Sequence, residues 1–597
     1  MQIARRPSRS DATPRRRRGL RAALLVFACS CAFVVQSPGW AQTSYMSLSR
    51  ALSSGTPQID RWHWQTHDVA YTNGHYYSVK PPGLAFATLP LYRALDAAGA
   101  QRLAHEARVR AESDGGAPWA ARTLPIAQYG YSRERAIAAR AAIADDAPMT
   151  WVLGLLGVLA PAIALLVLVA RGADRIARGT GTAVALTLGA GTLMLPFSTL
   201  YFSHVLSALL SFAAFALVWR ERTRAREAGD GAAELRPTVL AVAGLLAGLA
   251  VVCEYPLAIT ALIVGLYALV ARVPGKARRA LSYGGGLAAG VAPLLAYQWW
   301  AFGSPLHTTY TNAVKTTGRS GHDELGLNDD GFFGITLPRP GAALELLFSG
   351  RGLLILAPVL VLAIAGIVAL RRERGGRHRA EAMVVIAIAL SYLLYNAGYW
   401  LPMGGGSPGP RFLFPVLPFL ALGLAISWRR WPAVTLALTA ISATTMIAAT
   451  ISYPMIGVND PGAWVERMQA GIFQHTVLDL AGAAHGLASI APFAIAIAAA
   501  VAVAVGTLGR AHLARGVRWV PAAVAGWALA ATLLSRPLQL PSDGALTLYG
   551  AAALVALLAV AVVAPAAHPA AAPSTQDEEH HAATPRALEV QAAQRPF

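Results

Sequence analysis

The chain has 597 residues, of which 55% are hydrophobic and only 14% are charged, and its mean hydropathy is +0.46. Soluble globular domains carry about 25% charged residues, so this composition excludes an ordinary soluble protein. The formal charge of +19 is concentrated in arginine clusters between long uncharged runs. No nucleic-acid motif with interleaved aromatic residues accompanies it. We therefore predict a membrane protein without a nucleic-acid partner.

About fourteen uncharged runs are long enough to cross roughly 30 Å of hydrocarbon as helices. They lie near 20–36, 149–170, 180–196, 204–219, 237–253, 256–271, 281–302, 352–370, 381–400, 412–428, 431–452, 488–508, 519–535 and 546–566. Arginine clusters such as "RERTRARE" and "RRERGGRHR" fall at alternate ends of these runs. Because positively charged loops stay in the cytoplasm, the pattern predicts an all-α polytopic membrane protein with both termini cytoplasmic.

The predicted organisation follows from these runs. Its parts are a basic cytoplasmic N-terminus (1–19), a first transmembrane helix (20–36), a large external loop (37–148), a transmembrane core (149–428) with external loops at 303–351 and 401–411, C-terminal transmembrane helices (429–566) and a disordered cytoplasmic tail (567–597). The first apolar run also resembles a cleavable signal peptide, because a basic start precedes it and small residues follow at Gly39 and Ala41.

The large external loop contains a segment unlike the rest of the chain, "DRWHWQTHDVAYTNGHYYSVKPPG" at 60–83. Asn73-Gly74 within it predicts a tight turn. Pro81 and Pro82 hold the preceding Lys80 in an extended conformation. A cation on a stiff backbone near the bilayer surface suits a phosphate ligand, although an interfacial loop with a snorkelling lysine would have the same composition.

With "ALSSG" before it and "LPLY" after it, this segment resembles the first external loop of GT-C membrane glycosyltransferases. The resemblance is closest to the branch of protein O-mannosyltransferases and lipid A aminoarabinose transferases. Their G-x-x-Y-x-x-K-P-P element is matched here by Gly74, Tyr77, Lys80, Pro81 and Pro82. Further similar stretches are "FSTLYFSHVLSALL" (197–210), "SGRGLLILAPVL" (349–360) and "GGGSPGPRFLFPVLPFLAL" (404–422), so the resemblance covers roughly residues 40 to 425. It implies a GT-C-like core in a bacterial-type plasma (inner) membrane.

The resemblance also implies an activity, the transfer of a sugar from a polyprenyl-phosphate donor to an acceptor hydroxyl of a glycan, lipid or protein on the external (periplasmic) face. No nucleotide sugar and no cofactor are expected. The departing phosphate needs cations, and the external cations in the matching motifs are Lys80, Arg411 and His307. Residues expected at the sugar or the acceptor are His75, Tyr76, Tyr77, Glu254, His204 and Tyr310. For Glu254 and His204, a polar helix end without catalytic use is the alternative.

The catalytic acid is where this chain departs from its relatives, which carry it directly after the first span. Here that position reads "AQTSY", residues 41–45, without an acid. An acceptor hydroxyl must lose its proton as it attacks, so we predict Asp60 as the general base, with Asp68 as the alternative. Either carboxylate could instead be a solvated loop residue. No metal is expected, although the adjacent Asp329 and Asp330 could hold a divalent ion.

Two other functions fit a polytopic chain. A transporter or flippase of lipid-linked sugars would need charged residues midway through several spans and broken helices. A non-catalytic envelope assembly protein would use the large loop for partners. The predicted spans are nearly free of charge and the ionisable residues gather at one face, which favours the glycosyltransferase.

Overall fold

The structure is a computed structural model that describes residues 12–66, 68–113, 133–228, 234–271, 273–312, 334–373, 375–455, 459–535 and 541–564. The described chain is almost entirely helical, with two short two-stranded sheets. The fold is therefore the predicted all-α polytopic one. The predicted tail at 567–597 and the pair Asp329 and Asp330 lie outside the described residues.

The N-terminal part, which includes the described residues of the predicted external loop at 37–148, consists of helices around one hairpin. Its elements are α1 (Ala12–Phe33), β1 (Val34–Val35), α2 (Trp40–Ser53), β2 (Val69–Thr72), β3 (His75–Ser78), α3 (Gly83–Ala97), α4 (Ala100–Ser113) and α5 (Arg133–Gly154). The strands β2 and β3 pair antiparallel, with Thr72 opposite His75. Asn73 and Gly74 both have positive φ, 51° and 83°, as a two-residue hairpin turn requires.

The middle of the chain is a series of consecutive helices. They are α6 (Ala160–Ile176), α7 (Gly181–Gly191), α8 (Met194–Phe197), α9 (His204–Glu227), α10 (Pro237–Cys253), α11 (Leu257–Leu269) and α12 (Lys276–Phe302). A π-helical turn at Leu155–Leu159 joins α5 to α6 into one long helix.

The C-terminal half continues the series. Its elements are α13 (Pro340–Phe348), α14 (Leu353–Leu356), α15 (Val359–Arg371), α16 (Arg379–Gly398), α17 (Leu417–Arg430), α18 (Pro432–Ile451), α19 (Pro461–Gln469), β4 (His475–Thr476), α20 (Val477–Leu480), α21 (Gly486–Gly506), α22 (Arg510–Leu513), α23 (Val520–Leu529) and α24 (Asp543–Val563). A 3-10 turn at Arg411–Val416 leads directly into α17. The strand β4 pairs with β1, which ties this half to the end of α1.

Every predicted span overlaps a helix, but the helices differ in length. Within the described ranges, nine helices are long and apolar enough to cross a membrane, and a tenth crossing is formed if the pair Pro340–Leu356 and Val359–Arg371, bent by 95°, counts as one. Three apolar helices are shorter, namely α7, α10 and α11. In α1 the arginines extend to Arg21, so its uncharged run is only 22–33. The predicted count of fourteen spans is therefore not established.

Helices α10 and α12 approach each other closely through glycines. A Cβ on Gly286 would lie 2.0 Å from the carbonyl oxygen of Ala241, and one on Gly248 would lie 2.5 Å from that of Leu287. Without a hydrophobic driving force between helices in lipid, such small residues allow backbone contact and strong van der Waals packing. This contact fixes α10, and with it the residue that follows it, Glu254.

Candidate active site

The base of the hairpin holds the first pair of candidate residues. Asp68 precedes β2 and Lys80 follows β3, and the Nζ atom of Lys80 lies 2.6 Å from Oδ2 of Asp68. Ser44 of α2 fixes both ends, because its hydroxyl donates to the carbonyl oxygen of Asp68 at 2.7 Å and lies 2.7 Å from the hydroxyl of Ser78. Lys80 is only 7% exposed. The predicted phosphate ligand and the second predicted base therefore form one buried ion pair.

A second acid lies at the end of α10. Glu254 is 8% exposed, and its Oε1 accepts a hydrogen bond from the hydroxyl of Ser203 and lies 3.2 Å from Nδ1 of His204. The hydroxyl of Tyr45, in α2, lies 2.6 Å from that of Ser203. The "AQTSY" segment, which lacks an acid, thus contributes a tyrosine that connects through Ser203 to Glu254.

A glycine brings these two groups together. Gly83 begins α3 directly after the Lys80-Pro81-Pro82 segment, and a Cβ there would lie 2.6 Å from Sγ and 2.7 Å from Cα of Cys253. Only a residue without a side chain allows this approach. The start of α3 therefore packs on the residue before Glu254, which holds Lys80 close to that carboxylate.

The ring of Phe202 is at the centre of the site. Nζ of Lys80 lies 6.0 Å and Cζ of Arg411 lies 5.3 Å from its centroid, within the range of cation–π contact. The imidazole of His204 stacks on the same ring, with centroids 4.6 Å apart and planes 18° apart. Two cations and the Glu254–His204 pair thus surround one aromatic ring.

The glycine-rich loop "GGGSPGP", residues 404–410, positions Arg411. A Cβ on Gly404, whose φ is +77°, would lie 2.7 Å from both Cγ and Nε of Arg411. Arg351 holds the loop by donating from Nη2 to the carbonyl oxygens of Gly405 and Ser407, at 2.6 and 2.5 Å. The Nε of Arg411 is buried and has no hydrogen-bond partner among the described residues. A buried donor in this state costs roughly 1–3 kcal/mol, which an anionic ligand would recover.

The surroundings keep Glu254 ionised. Burial by itself raises the pKa of this carboxyl, but His204, the hydroxyl of Ser203 and the charge of Lys80 together outweigh burial and lower the pKa below its ordinary value of 4.5. Burial and the nearby Glu254 charge raise the pKa of Tyr45 well above 10.0, so its hydroxyl stays protonated. The site therefore contains a fixed negative charge with a neutral donor network behind it.

Asp60, the first predicted base, lies elsewhere, at the turn end of the hairpin. Its carboxylate accepts from the backbone N–H of Tyr76 at 2.7 Å and lies 2.7 Å from Nδ1 of His75. The ring of Tyr76 stacks on that of His63, with centroids 3.9 Å apart. At about 3.3 Å of rise per residue, roughly 13 Å of strand separate Tyr76 from Lys80. Asp60, His75 and Tyr76 thus form a cluster distinct from the Lys80 site.

The remaining predicted residues, Tyr77, His307 and Tyr310, are held by aromatic contacts. Tyr77 is 2% exposed and packs on Phe302, with ring centroids 4.8 Å apart, and His307 packs on the same Phe302 at 4.9 Å. Tyr310 contacts the ring of Tyr255, the residue after Glu254, with centroids 5.6 Å apart. Tyr310 therefore borders the Glu254 site, whereas Tyr77 and His307 pack on the same side chain, Phe302.

Four residues at the site were not predicted from the sequence, namely Tyr45, Phe202, Ser203 and Arg351. Phe202 and Ser203 lie in "FSTLYFSHVLSALL", one of the stretches that resemble the GT-C relatives, and Arg351 lies in another, "SGRGLLILAPVL". Their position in matching stretches was the available signal. Among the described residues, no group of three or more His, Cys, Asp or Glu side chains is arranged to hold a metal ion.

Comparison with known proteins returns solved structures alone. No family model and no curated protein matches the chain. The chain is similar to ArnT from Cupriavidus metallidurans in the apo state, with 15% identity, a TM-score of 0.41, and coverage of 82% of this chain and 76% of that one. For the same ArnT bound to undecaprenyl phosphate, the identity is 15%, the TM-score 0.41, and the coverage 89% and 83%.

A third solved structure is the Archaeoglobus fulgidus oligosaccharyltransferase in the apo form. Its identity is 13%, its TM-score 0.35, and the match covers 81% of this chain and 56% of that one. ArnT and the oligosaccharyltransferase are both GT-C glycosyltransferases, the class that the loop and span motifs of this chain resemble.

Proposed function

We propose that the protein is an integral-membrane glycosyltransferase that moves a sugar from a polyprenyl-phosphate donor to an acceptor hydroxyl of a cell-envelope glycan, lipid or protein on the external face. One observation carries the proposal. Two cations, Lys80 and Arg411, lie on the same ring of Phe202, and two carboxylates, Asp68 and Glu254, lie beside them.

The proposed reaction makes two demands that this arrangement meets. The acceptor oxygen forms a bond to the anomeric carbon while the bond from that carbon to the phosphate oxygen breaks, and the polyprenyl phosphate departs with the electron pair. Lys80 and the unpartnered Nε of Arg411 would stabilise the charge on this leaving group. The acceptor proton passes to a carboxylate within reach.

We propose Asp68 as that carboxylate. In the structure its charge is neutralised by Lys80. A donor phosphate would compete for Lys80 and weaken the ion pair, so that the carboxylate of Asp68 would accept the proton. Binding of the donor would thereby activate the base. Asp60 is the weaker candidate, because its carboxylate already holds the backbone N–H of Tyr76 at the far end of the hairpin.

Glu254 has a separate proposed role. Its pKa is lowered, so it remains negative near the reacting carbon. A fixed negative charge there would favour the oxocarbenium character that glycosyl transfer develops in its transition state. His204 and Ser203 orient the carboxylate by the contacts already described.

The experiment uses the full chain in nanodiscs with radiolabelled undecaprenyl-phosphate sugars and a cell-envelope extract as acceptor. We expect label to move from lipid to acceptor and free undecaprenyl phosphate to accumulate in equal amount. A transporter or flippase would leave the donor intact while moving it between leaflets of a sealed vesicle. If a broad panel of donors is neither bound nor cleaved, the proposal is overturned.

A further inference from the structure

The protein has a large cavity at the end away from Lys80 and Arg411. Helix α9 begins at His204, beside the candidate active site, and its 24 residues span about 36 Å before it ends at Glu227 by this cavity. The cavity has a volume of about 1580 Å³ and is bordered by the ends of α6 and α9 and by the starts of α7, α10 and α16. It does not share residues with the candidate active site.

Arginines without partners distinguish this cavity. Four of its lining arginines make no hydrogen bond or ion pair with the described residues, namely Arg171, Arg175, Arg178 and Arg220. Arg175 lies over the ring of Trp219, with Cζ 5.7 Å from the ring centroid. Asp174, whose Oδ1 accepts from the backbone N–H groups of Gly179 and Gly181 at 2.9 Å, brings one negative charge against these four arginines.

The other lining arginines form ion pairs with carboxylates, unlike these four. Arg236 pairs with Glu221, and Arg226 pairs with Glu381 at 3.2 Å. Glu227, which also lines the cavity, pairs with Arg377 at 3.9 Å, so Asp174 is left to offset the four unpaired arginines. Several guanidinium groups that face a common space without counter-charge repel one another, and a ligand of opposite charge would relieve that repulsion.

A buried histidine provides a second, independent observation. His378 lines the same cavity and is 7% exposed, and its Nδ1 is buried without a hydrogen-bond partner among the described residues. Its ring meets that of Trp219 edge-on, with centroids 6.0 Å apart. Buried polar atoms are normally hydrogen-bonded, so this ring nitrogen is an unsatisfied group directly behind the cavity surface.

We propose that this cavity binds a ligand with two or more phosphate-type negative charges. The positive-inside rule accounts for arginines at this end of the helices, but it does not account for one cavity lined by four unpaired arginines and a single lining carboxylate left to offset them. Guanidinium groups suit phosphate oxygens because their planar fork donates two hydrogen bonds at once. The ligand is a phosphate ester, supplied either by a soluble diphosphate compound or by the headgroup of an acidic phospholipid.

The test measures binding to the full chain in neutral detergent by calorimetry, with inorganic diphosphate as the soluble probe. In parallel, the thermal midpoint is compared in nanodiscs of phosphatidylcholine with and without a diphosphatidyl lipid. The cavity variant is Arg175→Gln with Arg220→Gln. The matched control is Arg429→Gln with Arg430→Gln, which removes the same charge from the exposed end of α17, outside the cavity.

We expect diphosphate, the acidic lipid or both to bind the native chain, the cavity variant to bind about tenfold or more weakly, and the control to bind like the native chain. Binding of diphosphate identifies the soluble source, and stabilisation by the lipid alone identifies the headgroup. If the cavity variant fails to fold, Arg171→Gln with Arg178→Gln, both at exposed positions, replaces it. Equal weakening in variant and control, or no binding of either probe, overturns the proposal.

Discussion

Lys80 and Asp68 close the base of the β2–β3 hairpin, with Nζ and Oδ2 2.6 Å apart. Removing one partner of a buried pair leaves an uncompensated charge, so substitution of either residue affects stability more than substitution of an exposed residue does. The pair is also the point at which a donor phosphate would bind, because Arg411 contacts the same ring of Phe202 as Lys80. The proposed base is therefore controlled by the residue that binds the donor.

Arg411→Gln should remove one phosphate ligand without unfolding the protein. We expect turnover to fall by about a hundredfold or more, as when one preorganised donor to a developing anion is lost. Binding of undecaprenyl phosphate should weaken as well. The control is Arg61→Gln, which removes an exposed cation that lies over Trp62 in the same part of the chain. Similar losses for both variants would indicate a general charge effect and not a site.

Gly404→Ala tests whether the glycine-rich loop positions Arg411. The new Cβ would lie 2.7 Å from Cγ and Nε of Arg411, so the guanidinium must shift. Gly405→Ala is the matched control, because Gly405 also has positive φ, +82°, but its Cβ would meet nothing closer than Leu401 Cδ2 at 3.8 Å. Both variants bear backbone strain of about 1–2 kcal/mol.

We expect Gly404→Ala to lose donor affinity severalfold more than Gly405→Ala, while the two thermal midpoints stay similar. Titration of undecaprenyl phosphate into both purified variants measures the difference. Equal affinities would show that the loop does not position Arg411.

Much of this site could be predicted from the chain alone. The K-P-P element predicted Lys80 and "GGGSPGPR" predicted Arg411, because both belong to stretches that resemble one family, and the two residues lie at the same ring of Phe202. The choice between Asp60 and Asp68 could not be made in that way. Both flank the same aromatic segment, and only the hairpin register, with Thr72 opposite His75, places Asp60 at the turn end and Asp68 beside Lys80.

The number of spans was less predictable from the sequence, because apolar runs do not determine how long or how straight the helices are. Hydropathy identifies apolar runs, but α7, α10 and α11 are apolar helices too short to qualify as spans by length, and α13 to α15 bend by 95° at Pro358. Proline lacks a backbone donor and ends or bends a helix, but the angle depends on packing against neighbours. The length of each crossing was therefore not encoded in composition alone.

Gly286→Ala should destabilise the protein through the contact of α10 with α12. Its Cβ would lie 2.0 Å from the carbonyl oxygen of Ala241, and forcing the helices apart should cost about 1–3 kcal/mol. Gly285→Ala is the control, because a Cβ there meets nothing within 4 Å. Thermal unfolding in detergent should show a lower midpoint for Gly286→Ala alone. Equal midpoints would contradict the proposed close packing.

Glu254→Gln should alter stability in a pH-dependent way. The folded pKa of Glu254 is below its ordinary value of 4.5, so the ionised carboxylate stabilises the fold above that value, and this contribution is lost as the pH falls through the lower folded pKa. The difference in thermal midpoint between native and Glu254→Gln proteins should therefore be largest near neutral pH and shrink below about 4.5. The exposed Glu466→Gln should show a difference near zero throughout. A Glu254→Gln difference that does not change with pH would refute the assignment.

The most direct test of the proposed function is donor turnover by native, Asp68→Asn and Asp60→Asn proteins in nanodiscs, with donor binding measured on the same samples. We predict that the native chain transfers sugar, that Asp68→Asn binds donor but turns over at least about a hundredfold more slowly, and that Asp60→Asn stays within about tenfold of native. Native-like turnover by Asp68→Asn, or the same loss in both variants, would contradict the account.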